Sequence, residues 1–524
     1  MQDRGRHRGR HRGRGAGEAL GRTAAARRGV AALAILALLG VMADDAAAAP
    51  VPTPRSAVTH HLWSANGVQV RYTAWVQDNF VDDAHGKPGA SIITVAYTRD
   101  GVPDPAHRPV IFAFNGGPGA AGSMLNFSGI GPVRLVGGKT GEPGERPGMP
   151  EAGHYQDNPQ SLIGTADMVF IDPVSTGFSR AFPGENPRQW YTDPSDAASV
   201  TQAIEHWLTV HHRWASPRYL VGESYGTERV GMMLAKDKRL RFNGVVLVAL
   251  AVPAQGRLIP YVTSLPTMAA GAWYHRRIAR DGRTVEQVFA DAERFARTDY
   301  LEALFRGSDL PLADRARIAE RMSSLIGLPA SLIEAKDLRI DKNTYMFNLL
   351  KDEHLRTGLL DVRVTGPLIK NGQGAIDDPA LGALPKKLLG SKHLTAASMG
   401  ILKNPMIGGY LEHELHFPTK RQYYSINFIA NSKWKYNARF DAVAAVSVAM
   451  KAQPALRLMW VQGMYDLTCP ADLSRYTIDQ DGVPANRLTA LVLPGPHSAY
   501  TTKQTLPVFV SALRRFVSRG NSAP

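Results

Sequence analysis

Three residues in this sequence have the types and positions needed for covalent acyl chemistry. Gly222-Glu223-Ser224-Tyr225-Gly226 has the form G-x-S-x-G. It follows the apolar run Arg218–Val221 and precedes a segment of helical spacing, so it reads as a tight strand-to-helix turn carrying an exposed serine. A serine hydroxyl is a poor nucleophile at neutral pH. It needs a histidine base, and the histidine needs an acid to fix its tautomer. Downstream, the run Arg457–Gln462 leads into Asp466, and Leu488–Leu493 leads into His497. Both lie just past strand ends, where open α/β sheets bind their ligands. The oxyanion of a tetrahedral intermediate needs N–H donors. Tyr225, the residue after the serine, offers one, and the glycine-rich loop Asn115-Gly116-Gly117-Pro118-Gly119 after an earlier strand is placed to offer another. The sequence has no H-E-x-x-H and no clustered Cys and His, so no metal and no cofactor is expected.

These residues need a scaffold. Val68–Val76 and Ile92–Thr98 alternate like an antiparallel entry to a sheet. Pro109–Phe114, Asp167–Asp172, Arg218–Val221, Gly244–Ala249, Arg457–Gln462 and Leu488–Leu493 are short apolar runs bounded by Gly, Pro or Asp. Such runs suit parallel strands buried on both faces. Helical patterns at Ala197–Arg213 and Val230–Lys238 alternate with them. From about 255 to 434 the strand pattern stops, and amphipathic segments appear at Thr284–Arg297, Ala313–Ile326 and Leu338–His354. The expected fold is α/β, an α/β-hydrolase fold with a central mostly parallel sheet and a largely helical cap insertion. Its core comprises 58–254 and 435–524, and its cap 255–434.

The first fifty residues belong to something else. Residues 1–28 hold nine arginines and two acids, so they supply +7 of the formal +15 net charge. The apolar run Gly29–Val41 follows, then the small residues around Ala43 to Pro50. A basic start, a short apolar run and a small-residue cleavage zone describe a signal peptide, taken as 1–43, with a linker at 44–57. The apolar run is shorter than the ~20 residues that a spanning helix needs. The protein is therefore expected to be secreted or periplasmic, with no stable membrane insertion once the signal is cleaved. No compact basic patch with interleaved aromatics remains, so nucleic acid is not an expected partner. The one cysteine, Cys469, leaves no internal disulfide, and stability must come from the core.

Taken together, these segments resemble the serine carboxypeptidase family. Asn115-Gly-Gly-Pro-Gly119 with Ser123 is similar to its NGGPG-x-x-S loop. Ile171-Asp-Pro-Val-Ser-Thr-Gly-Phe-Ser179 is similar to its D-x-P-x-G-x-G-[FY]-S segment, and Gly222–Gly226 to its GESY elbow. Asp466 and His497 take the acid and base places. The resemblance covers about half the chain. It implies release of single residues from peptide C-termini, with Asn115 and Glu223 holding the substrate carboxylate. Two carboxylates at short range cannot both ionise, so that role implies an acid-shifted pH optimum for peptides. The chain departs from the family at Gly129, where many members carry a glutamate, and at Pro496, where the family usually has glycine. Cys469 takes a position that is often cysteine in the family; it either lines the pocket or serves as a small buried apolar residue.

The implied mechanism has Ser224 attack the scissile carbonyl of a peptide substrate. His497 takes and returns the proton, Asp466 orients His497, and the N–H groups of Gly117 and Tyr225 hold the oxyanion. An esterase or acyltransferase using the same triad is the alternative, and the lost contact at Gly129 would permit it. A binding protein on a hydrolase scaffold is a third reading, opposed by the complete Ser, Asp and His set.

Overall fold

The computed structural model describes residues 52–136, 153–237, 239–253, 256–369, 378–381 and 395–519. The expected signal peptide and most of the expected linker lie outside the described residues. A ten-stranded sheet organises the rest. In chain order its strands are β1 (Ser56–Ala65), β2 (Val68–Asp82), β3 (Pro88–Arg99), β4 (Val110–Phe114), β5 (Asp167–Asp172), β6 (Arg180–Ala181), β7 (Arg218–Glu223), β8 (Gly244–Val248), β9 (Arg457–Gly463) and β10 (Leu488–Leu493). They lie side by side as β1-β2-β3-β5-β4-β7-β8-β9-β10, with the short β6 paired to β3. The first four strands of that order pair antiparallel, and every pair from β5 to β10 is parallel.

The inner parallel strands are buried on both faces, as their apolar runs require, while the edge strand β10 is partly exposed. Every residue of β4, β5 and β8 is buried. The pleat sends alternate residues to opposite cores. Phe112 and Phe114 face one cluster with Leu220, Leu247 and Trp460. Ile111 and Ala113 face the other with Val221, Val248 and Val461. Helix α1 (Asp193–Val210) closes the first core. It starts where Thr192 caps it by accepting from the Ser195 N–H, and it places Trp207 edge-on to Phe112 with centroids 5.6 Å apart. Helix α2 (Tyr225–Lys236) follows Ser224 at once. It approaches the helix Ala442–Ala452 so closely that a Cβ on Gly231 would sit 2.6 Å from the Ala442 Cα.

All eight expected strands are present, four of them running one to six residues longer. The edge strand β1 extends back into the stretch expected as linker, and it is paired along its whole length with β2. Between β8 and β9 the chain is mainly helical, forming the cap. The segment Leu338–His354, expected as one helix, is helical only over Lys342–Asn348, with a 3-10 turn at Lys351–Glu353. Asp341 caps that helix by accepting from the Thr344 N–H, and Leu338 before it has a left-handed backbone, which no continuous helix tolerates. The cap also holds two short antiparallel ribbons, Leu355–Thr357 with Thr365–Pro367 and Ile401–Lys403 with Tyr424–Asn427, that the sequence pattern does not announce. Among the described residues, no helix is long and apolar enough to cross a membrane.

Trp207 is completely buried and also stacks on His211 at 4.4 Å. Replacing Trp207 with alanine should cost about 3–5 kcal/mol of stability through lost burial and the cavity left behind. An unchanged urea midpoint would mean that this packing does not support the sheet.

Candidate active site

Ser224 sits at the junction of β7 and α2 with φ 58° and ψ −128°. A non-glycine residue at that φ is strained, and the surroundings hold it there. The Ser224 N–H donates to the Val248 carbonyl at 2.9 Å, and its own carbonyl accepts from the Thr227 N–H at 2.8 Å. The turn is crowded. A Cβ on Gly222 would lie 2.8 Å from the Gly226 carbonyl carbon, so only glycine fits.

The glycine-rich loop packs directly onto this turn. A Cβ on Gly116 would lie 2.6 Å from the Glu223 carbonyl oxygen and 2.7 Å from the Gly226 nitrogen. Gly116 therefore lets the loop approach the elbow, while Gly117 is exposed beside it. Tyr225 supplies the first amide of α2, an end where helix N–H groups lack intrahelical partners. Its ring is fixed by a 3.0 Å hydrogen bond from its hydroxyl to Asp193 and by edge contact with Trp434.

Asp466 and His497 meet. The His497 Nδ1 and the Asp466 Oδ2 are 2.7 Å apart, and both residues are buried. The other aspartate oxygen accepts from the Thr468 and Cys469 N–H groups at 2.9 and 3.0 Å. Gln462 Nε2 donates to Oδ2 at 3.2 Å. Burial works against a charged imidazole, yet the adjacent Asp466 carboxylate outweighs it and holds the His497 pKa well above its ordinary value. The structure places no hydrogen bond between the Ser224 hydroxyl and His497. Such contacts often tighten only in the substrate complex. Cys469 is buried, and its sulfur lies within 4.8 Å of the ligand atoms of Asp466 and His497. Burial pushes its thiol pKa up.

Asn115 and Glu223 also meet: the Asn115 amide donates to the Glu223 carboxyl at 2.6 Å. Burial raises the Glu223 pKa, while His497 and the hydroxyls of Ser498 and Tyr500 pull the other way.

Several supporting residues carry no motif. Arg229 on α2 is fully buried, pairs with Asp196 on α1 at 2.6 Å, and donates to the Asn115 carbonyl at 2.9 Å. It thereby fixes the start of the glycine-rich loop. Asp172, at the end of β5, accepts from the Gly122 N–H at 2.9 Å and from the Tyr423 hydroxyl at 3.2 Å. Burial pushes its pKa up to about 7. The cap reaches the triad loops through its backbone. The His497 N–H donates to the Leu360 carbonyl, the Leu467 N–H to Leu359, and the Val362 N–H to the Tyr465 carbonyl. The distances between partners along the chain explain why no local pattern reveals these contacts. One cue was legible: a basic residue one turn into the helix after the nucleophile, with an acid at the start of the preceding helix.

Residues 96–236 match the family model described as serine carboxypeptidase. That stretch holds the glycine-rich loop and the elbow, and Asp466 and His497 lie beyond it. No curated protein matches the sequence. Among solved structures, the chain is similar to the prohormone-processing carboxypeptidase Kex1(delta)p from Saccharomyces cerevisiae, at 12% identity over 90% of this chain and 93% of that one, with a TM-score of 0.49. It is also similar to a proline iminopeptidase from Mycobacterium smegmatis (10% identity, 88% and 99% covered, TM-score 0.32) and to the esterase RhEst1 from Rhodococcus sp. ECU1013 (11% identity, 84% and 98% covered, TM-score 0.35).

If Asp466 orients His497, Asp466→Asn should lower kcat by about 10⁴-fold, the scale of that change in a well-studied triad. The substitution keeps the size of the side chain and its two bonds from the Thr468 and Cys469 N–H groups, so the fold should survive. Near-normal turnover in a folded variant would remove Asp466 from the machinery.

Proposed function

We propose that this member of the serine carboxypeptidase family, matched through residues 96–236, is an exported enzyme that releases C-terminal residues from peptides. The observation that carries the reading is the 2.6 Å contact between Asn115 and Glu223, placed next to Ser224. A peptide whose scissile carbonyl lay over Ser224 would bring its C-terminal carboxylate within reach of that pair.

In this mechanism His497 removes the Ser224 proton as the oxygen attacks the scissile carbonyl. The N–H groups of Gly117 and Tyr225 hold the oxyanion. The tetrahedral intermediate collapses to an acyl-enzyme, the C–N bond breaks, and His497 passes the proton to the departing amino acid. Water, deprotonated by His497, then attacks the ester, and Ser224 recovers its proton. The raised His497 pKa means that the imidazole is readily protonated during attack, with Asp466 beside it. The helical insertion, taken as 255–434, bounds the side-chain pockets, and its Leu359 to Val362 segment braces both triad loops.

Glu223 accepts a substrate carboxylate only when one proton lies between the two groups. Its raised pKa keeps that proton available above the ordinary carboxyl range. An esterase or acyltransferase with the same triad is the second reading, favoured by Gly129, which offers no side-chain contact to a carboxylate.

The two requirements have opposite signs in pH. His497 acts as base only when neutral, so kcat falls toward acid. Glu223 binds the carboxylate only when protonated, so KM for peptides rises toward alkali. Hydrolysis of N-blocked dipeptides measured from pH 4 to 8 should therefore reach its maximum at a lower pH than that of an uncharged ester, whose turnover should keep rising as His497 loses its proton. Ser224→Ala should abolish both. Ester cleavage that needs Ser224, without release of free amino acid at any pH, would overturn the exopeptidase reading.

A further inference from the structure

Glu223 is surrounded by donors from the loop that carries His497. The Ser498 hydroxyl donates to Oε1 at 2.6 Å. The Tyr500 hydroxyl donates to Oε2, the same oxygen that accepts from Asn115. Asn115 Nδ2 lies 3.3 Å from the Tyr500 oxygen, closing a ring of three polar groups. All four side chains are buried: Tyr500 is completely enclosed and Glu223 is 4% exposed. The Tyr500 ring reaches this position across Gly129. A Cβ at Gly129 would sit 3.2 Å from two ring carbons, closer than comfortable packing, so a side chain there would press on the tyrosine. Phe509 supports the ring from behind, with centroids 5.5 Å apart.

We propose that Tyr500 and Ser498 are positioning residues for peptide recognition, and that their two hydroxyl donors aim the Glu223 carboxyl and set the pH range over which it can share a proton with a substrate carboxylate. The inference rests on the reading of Glu223 given above. A hydroxyl donating to a carboxylate stabilises its charged form, so each of these donors favours loss of the Glu223 proton. The other groups facing Glu223 are His497, which when charged acts in the same direction, Asp466, which opposes it, and the neutral Asn115 amide. Burial is the largest influence and favours the protonated acid. Tyr500 itself stays protonated, because burial and the neighbouring Glu223 hold its pKa well above the ordinary phenol value. It is therefore a donor throughout the working range.

Removing one donor should make Glu223 harder to ionise. Tyr500→Phe keeps the ring against Gly129 and deletes only the hydroxyl. Ser498→Ala deletes the donor on the other carboxyl oxygen and supplies an independent variant should the first fail to fold. The measurement is KM and kcat from pH 4 to 8 for an N-blocked dipeptide with a free carboxylate, for the same dipeptide as its amide, and for an uncharged ester. The expected result is that the alkaline rise in KM for the free acid moves up by about one pH unit in either variant. The midpoint of the ester kcat profile, which follows His497, should not move with it. A KM midpoint that stays in place or moves down in the folded variants overturns the proposal. So does an equal loss of kcat on all substrates with no midpoint shift, which is what simple structural damage would give. Failure of the underlying reading looks different: the wild-type enzyme itself would then show no preference for the free acid over the amide.

Discussion

The buried carboxyl of Glu223 is the group on which the site's geometry depends. It belongs to the residue before Ser224, and it accepts from Asn115 of the glycine-rich loop and from Ser498 and Tyr500 of the His497 loop. Three segments far apart in sequence are thus tied to one side chain. An isolated buried carboxylate would be strongly disfavoured, so each donor is needed to offset the loss of water. The network is stabilising only when complete, and completing it requires the Ser224 turn, the glycine-rich loop and the His497 loop to adopt one mutual arrangement.

Around that centre the chain places buried charges in pairs. Arg229 meets Asp196 and also holds the Asn115 carbonyl. Asp167, at the start of β5, takes Arg108 and Arg213 at 2.8 and 2.6 Å. A buried pair contributes little net stability compared with apolar packing, but breaking one is costly. Such pairs penalise misplacement more than they reward folding. That property suits elements that must hold an elbow strained at φ 58°.

The parallel half of the sheet was legible because its strands read as unbroken apolar runs between turn residues, the inner ones buried on both faces. Asp167–Asp172 and Leu488–Leu493 match their runs at both ends. The edge strand β1 was not legible. Only one face packs, Val58 and Leu62 point outward at 45% and 51% exposure, and its polar residues resemble a linker. The C-terminal helix Thr505–Arg519 carries Leu506, Phe509, Val510, Leu513, Phe516 and Val517 at helical spacing, all buried, so its helical pattern is present in the sequence. In the candidate site, strand ends pointed to Ser224, Asp466 and His497. The Asp466–His497 contact itself and the donors Ser498 and Tyr500 are tertiary facts. Tyr500 lies 277 positions from the carboxyl it bonds, and no local spacing encodes that distance.

Gly129 illustrates how one departure changes meaning once its neighbours are known. In the sequence it is an absence, a glycine where a carboxylate contact is expected. In the structure the Tyr500 ring lies against Gly129, and the Cβ of a side chain at 129 would crowd it at 3.2 Å. A second carboxyl beside Glu223 would need a proton of its own to avoid repulsion, and recognition would then require two acids to be protonated. A phenol brings its proton with it at every working pH. Exchanging a shared-proton partner for a permanent donor leaves Glu223 as the single titrating acid among the groups that contact it directly, so in the proposed reading the pH response of recognition falls on one carboxyl whose surroundings are set by Asn115, Ser498 and Tyr500.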